Sequence, residues 1–90
     1  MKTILGIYTK NRVAHDVALQ KKRYSFNTNL DIKVGDLIKD NSYTTPIQVT
    51  DILEKTSSFV NLVTGQLSDT QGEGRVVALK VLTGGVDRAN

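Results

Sequence analysis

The side chains with the most capacity for chemistry stand together at Gln20–Phe26, where the chain reads QKKRYSF. Lys21, Lys22 and Arg23 supply three cations, and the rings of Tyr24 and Phe26 follow at once. Cations hold phosphate oxygens while aromatic faces stack on heterocycles, so the pattern suits a nucleotide or a nucleic acid strand. A plainer reading competes: both rings pack inward, and the charges keep an edge strand from aggregating. In an extended strand Lys22, Tyr24 and Phe26 share one face and Arg23 takes the other, which leaves Lys22 as the cation beside the rings. Lys10, Arg12 and His15, a few residues upstream, extend the basic surface. The loop NSYTTP adds Tyr43, Thr44 and Thr45 as neutral hydroxyl donors, and Arg75 follows the glycine-containing stretch TQGEG.

Other chemistries fare worse. His15-Asp16 is the one His–carboxylate neighbour pair, and adjacent residues of a strand point to opposite faces, so adjacency makes no dyad. TQGEGRV lacks the third glycine and the Lys-Ser/Thr ending of a phosphate-cradling loop. One histidine and no cysteine exclude the common zinc sets, and Asp31, Asp36, Asp40 and Asp51 lack the spacing of a calcium loop. The reading is a non-enzymatic protein with no catalytic residue, no metal and no cofactor.

The elements that must position these groups are short. TILGIYT is β-branched and aromatic and predicts a first strand. RVAHDVALQKK is ambiguous: Val13, Ala14, Val17 and Ala18 form a helical face, whereas Val17 and Leu19 alternate as in a strand. A strand from about Val17 is the preferred reading, with a short helix as the alternative. Leu19 and Tyr24 differ in parity, which predicts a β-bulge near Gln20–Arg23. Gly35-Asp36 predicts a turn. Pro46 opens the strand IQVTDIL, in which Ile52 breaks the parity of Ile47 and Val49 and so predicts a bend. Thr64-Gly65 marks a hairpin, residues 70–74 a loop, and RVVALKVL the most apolar strand. The expected fold is all-β: a small, partly open barrel of five to seven mainly antiparallel strands over residues 1–83, with a flexible tail over 84–90. Tyr24, Phe26, Ile32, Leu37, Ile47, Val49, Ile52, Val77, Leu79 and Val81 are its expected core.

Ninety residues suffice for one domain with a thin stability margin. Residues 1–28 carry six cations against Asp16 alone, and residues 29–90 carry six against eight carboxylates. This asymmetry favours an anionic partner at the N-terminal third. No apolar run approaches the roughly 18 residues that span a bilayer, and MKTILGIYTKNR lacks the apolar stretch of a signal peptide, so no membrane partner and a cytoplasmic location are expected. The apolar side chains on both faces of VVALKVL predict a homo-oligomer.

The segment Y-x-F…L-x-I-K-V-G-D-x-I, within KKRYSFNTNLDIKVGDLI, resembles the first half of small SH3-like barrels over a third to a half of the chain. The whole chain is similar to short accessory proteins encoded by tailed phages. That resemblance implies a binding protein acting in the host cytoplasm, and with the cationic–aromatic pattern it implies an anti-defence protein that sequesters a cyclic nucleotide signal. Two alternatives stay open: an SH3-like nucleic-acid-binding module, and an inhibitor that adds an edge strand to a host protein.

Overall fold

The computed structural model describes residues 1–89. Along the chain run β1 (Lys2–Tyr8), α1 (His15–Ala18), β2 (Tyr24–Thr28), β3 (Leu37–Lys39), β4 (Ile47–Ile52), β5 (Phe59–Asn61), β6 (Leu67–Ser68), β7 (Val76–Ala78), β8 (Val81–Leu82) and β9 (Gly85–Asp87). Six strands form one sheet in the order β8-β2-β1-β4-β3-β9, antiparallel except for the β2–β8 pair. A smaller sheet has the order β6-β5-β7. The edge strands β8 and β9 are separated by Thr83 and Gly84 alone, so the chain itself draws the two edges of the large sheet together. This is a partly open barrel.

Ile4, Phe26, Ile32, Ile38, Ile47, Val49 and Leu82 make the core, with Ile4 directly across from Phe26. Gly6 is required where β1 crosses β4, because a Cβ there would lie 2.6 Å from Ile47 Cγ2 and 2.9 Å from the Gln48 carbonyl oxygen. The pairing of β1 with β4 slips between Leu5 and Gly6, leaving Thr50 as the extra residue. The Thr50 hydroxyl donates to the Leu5 carbonyl at 3.1 Å and fills the gap. The bend expected before Ile52 is this bulge.

The other face of β1 and β2 carries a buried polar knot. The Thr3 hydroxyl donates to Asn27 Oδ1, Asn27 Nδ2 donates to the Ser57 carbonyl at 2.9 Å, and the Ser57 amide donates to the Thr3 hydroxyl at 2.9 Å. Buried polar groups that satisfy one another fix register without leaving a desolvation cost. Farther along, Gln48 receives the Val13 amide at 2.8 Å and returns a bond to the Val13 carbonyl at 2.9 Å, which pins the segment before α1 to β4.

Several expectations change. His15–Ala18 is helical, so the preferred strand from Val17 gives way to the alternative, and the bulge near Gln20–Arg23 is replaced by an irregular link from α1 to β2. RVVALKVL is two strands: β7 joins the small sheet, β8 joins the large one, and the chain crosses between them at Leu79-Lys80. The two-faced apolar pattern thus reflects a change of sheet, which removes the ground on which a second subunit was expected. Of the expected tail, Gly85–Asp87 pairs with β3 as β9, while Asn90 lies outside the described residues. Tyr24, Ile52, Val77 and Val81 are partly exposed rather than core, and Ile4, Ile7, Ile38 and Leu82 take their place.

Two buried carboxylates hold the C-terminal return in place. Gly35 turns the chain at φ 97° and leads into Asp36, whose carboxylate accepts the amides of Lys33 and Ala89, both at 2.8 Å, beside Arg88. Asp40 accepts the amides of Thr83 at 2.6 Å and Ser42 at 2.7 Å. Among the described residues no helix is long and apolar enough to cross a membrane.

Candidate functional site

The two sheets do not close against each other everywhere. Between the β1–β2 side of the barrel and the small sheet lies a cleft of about 630 Å³. One wall is Tyr8, Tyr24, Phe26 and Tyr43 from the barrel, and the facing wall is Val60, Leu62 and Val77 from the small sheet. Lys21, Lys22, Arg23 and Lys80 also line it.

Strand geometry explains the aromatic wall. Tyr24 pairs with Gly6 across β1–β2, and Phe26 pairs with Ile4 on the same face. Tyr8 continues that face of β1 beyond Gly6, so it arrives beside Tyr24 where the core ends. The Tyr8 ring centroid is 5.0 Å from Tyr24, 6.0 Å from Phe26 and 5.8 Å from Tyr43, and Phe26 lies 6.2 Å from Tyr43. Edge-to-face and tilted contacts at these distances are favourable arrangements of ring quadrupoles. Tyr8 and Tyr24 remain partly open to solvent, at 37% and 40% exposure, so the wall presents ring surface to the cleft instead of burying it.

The cations differ in availability. Arg23 Nη1 donates to Asp51 Oδ2 at 3.0 Å, which offsets its charge locally. Lys21, Lys22 and Lys80 make no ion pair among the described residues. Lys22 Nζ sits 5.1 Å from the centre of the Tyr24 ring, within the range of a cation–π contact. The shared parity of Lys22 and the rings, read from the sequence, is realised here although Lys22 itself precedes β2.

The phenols are also tuned. Burial raises the Tyr8 pKa above its ordinary value, and the neighbouring phenols of Tyr43 and Tyr24 push it the same way. Burial likewise raises Tyr43, reinforced by the carboxylate of Asp40. A phenol is already protonated at neutral pH, so these shifts leave both side chains uncharged there. The Tyr43 oxygen is buried, and the polar group beside it is the Tyr8 hydroxyl.

Of the residues singled out from sequence, Lys21, Lys22, Arg23, Tyr24 and Tyr43 meet in this cleft. Lys10, His15, Thr44, Thr45 and Arg75 do not line it. Arg12 plays a structural part instead. Its Nε donates to the Gly35 carbonyl at 2.8 Å and its Nη2 to the Asp87 carbonyl at 2.6 Å, so it clamps β9 to the turn before β3. Sequence reasoning missed Tyr8, Leu62, Val77 and Lys80. Tyr8 had a signal, since it stands two residues from Gly6 on the face that carries Ile4. The small-sheet wall had none, because its position follows from long-range pairing. Among the described residues no three metal-ligating side chains gather. The chain matches no family model, no curated protein and no solved structure. The fold and the cleft define a small β-barrel with a cationic, aromatic groove.

Proposed function

We propose that the protein is a non-enzymatic binding protein that holds a nucleotide in this cleft. The observation that carries the reading is the meeting of Tyr8, Tyr24 and Tyr43 with Lys21 and Lys22, which make no ion pair among the described residues, along one groove. Rings offer stacking surface to a heterocycle, and ammonium groups offer charge-assisted hydrogen bonds to phosphate. A volume near 630 Å³ falls in the range of small-molecule sites, roughly 300–1,000 Å³. Such a protein acts by sequestration. In the setting implied by the phage resemblance, the captured molecule is a cyclic nucleotide that signals host defence, met in the host cytoplasm.

We further propose that the working form is a homo-oligomer. Leu62 and Val63 are 60% and 75% exposed at the tip of the β5–β6 hairpin, beside the cleft, and a second copy covering them would also narrow its mouth.

A thermal-shift panel of cyclic AMP, cyclic GMP, cyclic di-AMP, cyclic di-GMP, cyclic tri-AMP and oligothymidylates of increasing length tests the binding reading. A ligand at 100 times its Kd adds about 2.7 kcal/mol, which in a domain of this size raises the melting temperature by on the order of 10 °C. The reading expects such a shift from one cyclic nucleotide and little from its relatives. A response that grows with oligonucleotide length and vanishes with salt would replace it with the nucleic-acid reading.

A further inference from the structure

We infer that the cleft takes a cyclic oligonucleotide, with one phosphate at Lys21 and Lys22 and a second at Lys80, rather than a cyclic mononucleotide. The inference rests on the nucleotide reading of the cleft and adds to it the class of nucleotide and a second anion site.

Lys80 stands where the two sheets meet. The Leu79 amide donates to the Ser58 carbonyl, next to β5, and the Asn27 amide of β2 donates to the Lys80 carbonyl, both at 2.9 Å. Consecutive residues are thus tied to different sheets, and Leu79 is buried between them. The gap between the sheets has its closed end here. From this point β2 runs back toward Tyr24 and Lys22, and β7 runs back toward Val77 and Val76. The register of Asn27 with Val81 sets Lys80 beside Phe26, four residues along from Lys22. At about 3.3 Å per residue, the two lysines leave the backbone about 13 Å apart. Both line the cleft, and neither makes an ion pair among the described residues. Arg23, the cation between them, is engaged by Asp51 at 3.0 Å. The rings of Tyr24 and Phe26 separate the two ammonium groups, and Val60 and Val77 face them. Such a groove fits a ligand with anions at two points and rings between them. A cyclic mononucleotide has a single phosphate and satisfies one end. The phosphates of ATP are contiguous and gather at one end. In a cyclic oligonucleotide a nucleoside separates each phosphate from the next, so one ligand reaches both ends.

Titration calorimetry separates this inference from the reading beneath it. The proteins are wild type, Lys22→Ala and Lys80→Ala. The probes are cyclic di-AMP, cyclic di-GMP and cyclic tri-AMP, with cyclic AMP and cyclic GMP as their single-phosphate counterparts. One of the cyclic oligonucleotides is expected to bind wild type at least about tenfold more tightly than its mononucleotide, as a second charge-assisted contact requires. Lys80 is exposed and bonds through its backbone carbonyl, so Lys80→Ala is expected to keep the wild-type melting temperature. Its affinity for that oligonucleotide is expected to fall by about tenfold to a hundredfold, the range of one charge-assisted hydrogen bond. Lys22→Ala is expected to weaken the same probe by a similar factor. Equal oligonucleotide affinity in Lys80→Ala and wild type, with Lys22→Ala weakened, overturns the second anion site and leaves the nucleotide reading standing. A mononucleotide bound as tightly as every oligonucleotide overturns it in the same way. No binding of any cyclic nucleotide to wild type removes the reading and the inference together.

Discussion

Tyr24 illustrates how one residue's surroundings decide its part. Its alternation with Phe26 in the sequence places it on the core face, and it is on that face, but β2 begins at Tyr24 and the barrel core ends one pair further in. At 40% exposure it is a wall residue. Tyr24→Ala should therefore cost less stability than the roughly 3–5 kcal/mol of a fully buried aromatic, and urea unfolding checks this. Asp36 and Asp40 are the opposite case, turn carboxylates in the sequence and buried latches in the fold. Burial alone would raise the Asp36 pKa, but the amides of Ala89 and Lys33 and the charges of Arg88 and Arg12 outweigh it and hold it below the ordinary carboxylate value. The amides of Thr83 and Ser42 hold Asp40 low against a smaller effect of burial. A carboxylate depressed in the folded chain contributes stability that is complete above its unfolded pKa, near 4, and lost as pH falls through the folded value. Melting temperature should thus decline below about pH 4. Asp36→Asn puts an amide donor where a backbone N–H already points, so it should cost about 1–3 kcal/mol at pH 7 and flatten the acid decline.

At the scale of elements, local pattern was legible and long-range pairing was not. Gly35-Asp36, Pro46 and the Thr64-Gly65 hairpin all stand where turn chemistry places them, and the parity break at Ile52 marked the Thr50 bulge. RVVALKVL could not be divided from sequence alone, because nothing in its hydrophobicity marks where β7 leaves the small sheet and β8 enters the large one. The tail was misread for a related reason. Residues 83–89 have little apolar surface of their own, and Asp36, Asp40 and Arg12, all distant in sequence, hold them. Gly6 is the element-scale residue with the least freedom. Gly6→Ala drives a methyl group into Ile47 and the Gln48 carbonyl, and chemical denaturation should show a loss of about 1–3 kcal/mol.

Seen whole, the molecule places three of its six N-terminal cations, Lys21, Lys22 and Arg23, beside an aromatic groove. Lys21, Lys22, Arg23, Tyr24 and Tyr43 were legible in the sequence, and folding added Tyr8 and the facing wall while sending Arg12 away from the groove to hold β9. If the exposed hairpin tip is covered by a second copy, sedimentation at tens of micromolar should give a mass above that of one chain, and Leu62→Ser with Val63→Ser should return it to a monomer. The central proposal is that the groove holds a nucleotide through Lys21 and Lys22, and the most direct measurement compares calorimetric affinity and melting temperature in wild type and the Lys21→Ala, Lys22→Ala double variant. Exposed substitutions usually change stability by within about 0.5 kcal/mol each, whereas one charge-assisted hydrogen bond contributes about 1.5–3 kcal/mol, or roughly tenfold to a hundredfold in affinity. The account predicts nearly unchanged melting with at least tenfold weaker binding of the cyclic nucleotide. Equal affinity in the two proteins would contradict it, and the lysines would then be no more than the solvated side of a strand.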